Sequence, residues 1–474
     1  MSSSRMPGSP NVWASALARG QADRIELKYQ VTLITPMLGG GVVAGVPDAN
    51  MPFRAKGIKG HLRAWWRVLA QAGDLDAHKA VTTGEVSLLT PIERREREAS
   101  LWGLLGSGRP TASAVEVITH ALNAPTENPP YEVDRKPNHV HFGELAEEYP
   151  EHFNYGYFPA KRQMGKQPRD PLQLIPAGSS FSLRLLIHDP SRLAEVRAAV
   201  AAWATFGGVG ARTRRGVGAV QVLEELQTTP PQLVCDLDAA EFTGKALCVA
   251  GLPELPDAVW AQQLALQHLW AFRQQPSFAR FSGVRGHPGR SRWPEPDAIR
   301  RLAGKDYRDV PDQDNPLKTR DHSASHPAGN IFPRAAFGMP LAIRFHYKQA
   351  AKAVDEDHFD PIERTLLPMG GSGDLDRMAS PLIIRPVAVQ AQDGTIRYCP
   401  VAAVLMHHPS HTLTQVRIKP PAGSATTGDV WNPAWSTGAT SGIGPLDQAY
   451  AARPMFDPPL TAVQAFMNYF AGKA

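Results

Sequence analysis

Residues 181–223 read FSLRLLIHDPSRLAEVRAAVAAWATFGGVGARTRRGVGAVQVL, and this stretch decides the fold class. Phe181 to His188 alternates apolar and polar side chains, the period of a strand with one buried face. Asp189-Pro190 supplies a helix N-cap and a first-turn proline. Leu193, Val196, Val200 and Trp203 follow at helical spacing, and Phe206-Gly207-Gly208 ends the helix. Val217 to Leu223 resumes as a strand. Working toward the N-terminus, Ile25, Leu27, Tyr29, Val31 and Leu33 alternate with Glu26, Lys28, Gln30 and Thr32, a second one-sided strand. It ends at Thr35-Pro36 and runs into Gly39-Gly40-Gly41. A helix is expected from Gly57 to Ala70. A polar stretch comes next, then a short apolar block, Leu101-Trp102-Gly103-Leu104-Leu105. Residues 106–178 are mixed and rich in Pro, His and charge, and read as loops with a few short elements. The order strand, helix, irregular insert, strand, helix, glycine loop, strand suits an α+β domain with one antiparallel sheet.

Toward the C-terminus, Gln227 to Gln232 reads as a linker. Strands are expected at Ala246–Ala250, Leu341–Tyr347, Pro381–Val389 and Arg397–Met406, and helices at Gln262–Arg273 and Thr461–Phe470. Ser424–Pro458 lacks periodicity and reads as a long loop. The expected layout is a flexible arm over 1–22, a first domain over 23–228 with an insertion at about 106–178, and a second domain over 233–474.

Composition narrows the class. The chain has 474 residues, long enough for two domains and conceivably three. Hydrophobic residues make up 43%, enough for real cores, which argues against disorder of the whole chain. The formal charge is +5 and the pI near 9.0, an average that can conceal basic patches. Cys235, Cys248 and Cys399 form no CxxC pair, which argues against a zinc site or disulfide framework and for a reducing, cytoplasmic setting. The first twenty residues lack the apolar core of a signal peptide, and no run approaches the length of a membrane span.

Three constellations carry chemistry. Residues 53–67, FRAKGIKGHLRAWWR, hold Arg54, Lys56, Lys59, Arg63 and Arg67 with no acidic residue. On a helix, Lys59, Arg63 and Arg67 fall within about 80° of one another, beside the apolar sector of Ile58, Leu62, Trp65, Trp66 and Leu69. Cations at one-turn spacing suit successive phosphates, although a solvated basic face is the plain alternative. The second constellation is 207–218, with Gly207, Gly208, Gly210, Gly216 and Gly218 around Arg212, Arg214 and Arg215. Glycines admit close approach of a polyanion and arginines add charge-assisted bonds. Neither a Walker nor a Rossmann pattern fits, and a mobile surface loop is the competing reading. The third is 258–294, which has no Asp or Glu, carries Arg273, Arg280, Arg285, Arg290 and Arg292, and interleaves Trp270, Phe272, Phe278, Phe281 and Trp293 with them. Basic and aromatic residues interleaved suit single-stranded nucleic acid, while some of these aromatics belong equally well in a core.

Thr35-Pro-Met-Leu-Gly-Gly-Gly41, Gly57-Ile-Lys-Gly-His-Leu-Arg-Ala-Trp-Trp-Arg67 and the 207–218 loop together resemble the RAMP superfamily (repeat-associated mysterious proteins). Within it they look like the first-subunit family of the Cmr complex, the type III-B CRISPR effector. Residues 291–300 (SRWPEPDAIR), 332–338 (FPRAAFG) and 380–386 (SPLIIRP) extend the match, which spans roughly 25–406. The resemblance implies two ferredoxin-like domains with long insertions, association with CRISPR RNA and target RNA near the 3′ end of the guide, and contact with other Cmr subunits, both RAMP backbone and end-capping ones. It implies neither a catalytic role nor a cofactor.

Some RAMP relatives are metal-independent endoribonucleases that use a histidine, so His61 needs weighing. On the helical wheel it lies about 160° from the centre of the Lys59–Arg67 stripe, away from any phosphate that stripe would hold. A histidine at the edge of the buried face is the expectation. His139, His141 and His152, His407, His408 and His411, and the pair Asp374 and Asp376 lack metal-ligand spacing. The remaining alternative is a protein-only spacer whose basic patches meet acidic subunits.

Overall fold

A computed structural model of the chain describes residues 24–42, 46–48, 50–72, 89–104, 110–123, 132–133, 140–141, 156–160, 172–226, 230–235, 246–274, 279–280, 291–311, 319–326, 330–345, 361–370, 373–408, 415–420 and 462–472. It divides into two compact units. The first comprises the chain to Cys248 together with Pro253–Leu264 and Ile384–Val401; the second comprises Val249–Leu252, Ala265–Ile383 and Ala402–Ala474. Both combine helices with antiparallel sheet. Among the described residues, no helix is long and apolar enough to cross a membrane.

The first unit is built from β1 (Ile25–Leu33), α1 (Ala55–Ala72), α2 (Pro91–Trp102), β2 (Val115–Asn123), β3 (Ser180–Ile187), α3 (Leu193–Phe206), β4 (Val220–Glu224) and the short β5 (Gln232–Leu233). Its sheet runs β2-β3-β1-β4-β5, with antiparallel neighbours throughout. Period two decides which face is covered. Tyr29 stands between Leu183 and Glu224, and Val31 between Phe181 and Val222. Leu27, Tyr29, Val31, Phe181, Leu183 and Leu185 are buried, whereas Glu26, Lys28, Gln30 and Arg184 are exposed. Ile58, Leu62, Trp66 and Leu69 of α1 and Val196, Val200 and Trp203 of α3 are buried at helical spacing. Full burial of side chains of this size contributes roughly 1.5–3 kcal/mol each.

One buried charge ties the helices together. Glu195, on α3, accepts the indole N–H of Trp66 at 2.8 Å, Arg97 of α2 at 2.9 Å and Arg192 at 2.7 Å. Saturated by donors in this way, a carboxylate tolerates burial; stripped of them it would be strongly destabilising.

Two elements differ from the sequence expectation. The polar stretch before Leu101 contains α2, which begins with a capping box: Thr90 Oγ1 accepts from Glu93 N while Glu93 accepts from Thr90 N, with Pro91 next in line. The expected irregular insert contains β2, a nine-residue strand at the sheet edge. Helix α1 is longer than Gly57–Ala70 by two residues at each end.

In the second unit, the expected strand Leu341–Tyr347 is a strand over Leu341–Ile343 among its described residues, with 346–347 lying outside them; it pairs with Arg364–Gly370, which also pairs with Gln415–Lys419. Leu382–Gln390 pairs with Ile396–Leu405, and most of both strands belongs to the first unit. Helix α4 spans Ala258–Gln274, α5 Glu295–Leu302 and α6 Ala462–Phe470. Phe272 centres an aromatic cluster, 5.7 Å from Trp293, 6.1 Å from Phe337 and 5.4 Å from Phe466, in edge-on geometries. The expected arm over 1–22 and the expected loop over 424–458 lie outside the described residues.

Candidate nucleic-acid interface

The two glycine motifs of the first unit are one structure. Ile34 N donates to Ala219 O at 2.9 Å, Gly218 N to Pro36 O at 2.8 Å, and Ala211 N to Leu38 O at 2.8 Å. Thr35 Oγ1 donates to Gly216 O at 2.5 Å and accepts from Ala219 N at 2.9 Å. The loop closes on itself through Val209 N to Gly218 O at 2.8 Å. A Cβ on Gly218, whose φ is +64°, would lie 2.0 Å from Val209 O, and one on Gly210 would lie 2.5 Å from Leu38 O. The glycines are therefore demanded by close backbone approach. Gly207 and Gly208 are equally confined, against Trp203 and Gly218 O.

Support comes from beneath. Arg385, fully buried, donates to Gly207 O, to Val220 O at 3.0 Å and to Pro386 O at 2.9 Å. Burial pulls its guanidinium down to about 9, still above neutrality, so it stays charged. Gln262 donates to Arg215 O at 2.9 Å, and Tyr157, buried, bonds Pro36 O at 3.1 Å. This packing replaces the mobile surface loop that the sequence left open.

The loop cations sit on that frame. Arg212 is left-handed at φ 60°, alone in this among the described non-glycine residues, and its Nε donates to Gly156 O at 2.8 Å. Arg214 is half-buried, and burial draws its guanidinium below the ordinary arginine value. Arg215 donates to Arg214 O at 3.1 Å.

Helix α1 brings its N-terminus to the same place. A Cβ on Gly40 would meet Met37 and the carbonyl of Pro52, so the 39–41 turn packs against the lead-in to α1. Arg54 bonds Asp48 at 2.9 Å and holds that carboxyl below the usual range, and Lys56 is exposed. The rest of the basic stripe has protein acceptors. Lys59 Nζ donates to Ser113 Oγ at 2.7 Å and Val115 O at 3.1 Å; burial, then the Arg63 charge, lowers its ammonium. Arg63 pairs with Glu98 and donates to Gly103 O at 3.2 Å, and Arg67 donates to Glu98 at 2.6 Å. Burial opposes ionisation of Glu98, but these hydrogen bonds and charges hold its carboxyl below the usual range. The acid that sequence inspection of 53–67 lacked comes from α2. His61 is mostly buried, which pushes its imidazole below the ordinary histidine range.

In the second unit, Arg292 donates to Arg280 O at 3.2 Å, and Arg273 lies over the Phe337 ring at 5.4 Å. Phe272 and Trp293 are core side chains, not a stacking platform. Glu295 accepts from Arg334 N at 2.6 Å and Nε at 3.0 Å, which joins the 291–300 and 332–338 motifs. Arg285, Arg290, Phe278 and Phe281 lie outside the described residues, as do His139, His152 and His411. Sequence reasoning missed Arg385, Glu98 and Gln262. The first sits in a quoted motif but reads as a charge in an apolar strand.

Residues 30–221 match the family model of the RAMP superfamily. No curated protein matches the chain. Among solved structures, it is similar to the crystal structure of Cmr1 from Pyrococcus furiosus (apo form), at 15% identity over 90% of this chain and 97% of that one, with a TM-score of 0.37. It is similar to a chain of a type IV-B CRISPR complex at 16% identity over 44% and 92%, TM-score 0.25. It is also similar to a chain of the cryo-EM structure of the type III-B Cmr-beta bound to cognate target RNA, at 13% identity over 47% and 66%, TM-score 0.22. The matched segment runs from β1 into β4 and contains both glycine motifs and all of α1, so the likeness to the RAMP superfamily lies in the first unit, over residues 30–221.

Proposed function

We propose that the chain is a non-catalytic RNA-binding subunit of a type III-B CRISPR effector, a Cmr complex, holding the backbone of CRISPR RNA or its target near the 3′ end of the guide. The first half is read as a ferredoxin-like domain, since its four long strands follow the order second, third, first, fourth around two helices. The second half is read as a relative of it with long loops. The reading rests on one observation: the backbone bonds between Leu38 and Ala211 bring the 39–41 turn, the start of α1 and the 207–218 loop to one end of one sheet. Arg54, Lys56, Arg212, Arg214 and Arg215 are the cations of that end. Contacts of this kind recognise phosphate and not base, as an effector whose guide does the sequence reading requires.

Incubating the purified chain with labelled CRISPR RNA and with an unrelated single strand tests it. Intact, shifted RNA of both kinds is expected. Metal-independent cutting of repeat RNA would replace this reading with the endoribonuclease one, and absence of any shift would leave the protein-only spacer.

A further inference from the structure

Among the described residues, the two edges of the first unit's sheet are unequal. At one edge β5 is only two residues long; at the other β2 runs for nine, Val115 to Asn123, without Pro, Gly or Lys. Edge strands are usually shortened, charged with lysine or covered, because their outer N–H and C=O groups recruit another strand. On β2 the outer groups can be assigned. His188 N donates to Ala114 O, so the even-numbered residues bond β3. Val115 N and O are taken by Ser113 Oγ, at 3.1 and 2.7 Å, and Lys59 also reaches Val115 O. Groups of one residue point to one side and alternate along a strand, so Val117, Thr119 and Ala121 offer theirs outward. A register irregularity between Ala121 and Asn123 ends the regular ladder.

We propose that this edge pairs with the same edge of a second copy of the chain, antiparallel about a two-fold axis at Ile118. In that register Val117 and Thr119 of opposite copies exchange hydrogen bonds, twice by symmetry. On the face away from the helices, Glu116 of each copy stands opposite His120 of the other, and Ile118 meets its own copy. Glu116, His120 and Leu122 are exposed, so these partners are available. Shifting the axis to Val117 or Thr119 also keeps outward groups facing each other. It places Glu116 opposite Ile118 or Leu122, however, and only the Ile118 register sets carboxylate against imidazole. Cross-strand neighbours about 5 Å apart make such pairing decisive for register. The charged groups that act on Glu116 within its own copy are His188, at 3.9 Å, and Lys59; the exposed Arg184, opposite Ile118 on β3, bonds Glu26. A two-fold contact of like surface on like surface closes at two copies. The inference does not depend on RNA binding.

Sedimentation velocity on the full, RNA-free chain over a concentration series tests it, with His120→Glu and with His120→Glu combined with Glu116→Lys. The parent is expected to pass from monomer to dimer, with amides of Val117 and Thr119 slowing in hydrogen exchange as it does. His120→Glu sets carboxylate against carboxylate twice and is expected to weaken association by about tenfold. The double variant restores opposite charges and should recover it. These side chains are solvent-exposed, so equal far-UV circular dichroism of all three proteins confirms the fold. A parent that stays monomeric throughout overturns the proposal, including the case where β2 becomes protected only on adding other effector subunits. So does His120→Glu that dimerises as the parent does, or a double variant that fails to recover.

Discussion

The guanidinium of Arg385 donates to the carbonyl of Gly207, 178 residues earlier in the chain. Through that bond and its bond to Val220 O, one buried cation holds both ends of the stretch that carries Arg212, Arg214 and Arg215. The planar fork reaches diverging carbonyls that a single ammonium cannot.

Two substitutions at this position should rank in an unexpected order. Arg385→Met removes a charge that is costly to bury but strands three carbonyls, for a loss of about 2 kcal/mol in urea unfolding. Arg385→Lys keeps the charge, loses the fork and should be worse at pH 7. A lysine there has its folded pKa depressed, so its stability deficit grows as pH falls and shrinks as pH rises. The lysine variant should therefore approach the methionine one between pH 7 and 8.5. Equal stability of parent and lysine variant at pH 7 would disprove the clamp.

Arg212 offers a way to separate backbone from charge. A left-handed non-glycine residue costs about 1 kcal/mol. Arg212→Gly should unfold at higher urea than Arg212→Ala by roughly that amount, while both lose the same RNA affinity in filter binding. A stability order reversed, or affinities that differ between the two, would show that the arginine's role is structural.

The two ends of helix α1 should behave oppositely. Lys59, Arg63 and Arg67 replaced together by Ala leave Glu98 without donors, costing about 2 kcal/mol, with Arg67 contributing least because it is half exposed. Arg54 and Lys56 replaced by Ala should leave the melting temperature nearly unchanged and lower RNA affinity for all sequences. With two phosphates lost, the slope of log K against log salt should flatten by about 1.4. An unchanged slope in the Arg54/Lys56 variant would remove the helix start from the interface.

His61 predicts an acid limb. Its folded pKa lies below the unfolded one because burial disfavours the imidazolium. Its contribution is complete above the unfolded pKa and is lost as pH falls toward and through the folded one. Thermal melts of the parent should fall between pH 7 and 5, and His61→Gln should fall less. His326 in the second unit, lowered mainly by burial, adds a limb of the same sign that His61→Gln leaves in place. RNA affinity at pH 7 should not change in His61→Gln, as electrophoretic mobility shift can show.

The residues explain what could be read in advance. The covered strands β1 and β3 and helices α1 and α3 alternate cleanly because each has one face in the core. Helix α2 escaped notice because only Ala99, Leu101 and Trp102 of it are buried, too few for a visible stripe, although Thr90-Pro91-Ile92-Glu93 announced its start. Strand β2 escaped because an edge strand buries little on either face. Of the site, the glycine loop was legible since main-chain crowding leaves a mark in composition. The pairing of Arg63 with Glu98 was not, because the partner belongs to another helix 35 residues away.

The join between Leu38 and Ala211 is made of main chain on both sides. What the sequence must supply there is a missing Cβ at Gly210 and Gly218, and it leaves the identity of the side chains mounted on the loop open. At that join, tolerance to substitution is set by room for a Cβ and not by side-chain chemistry.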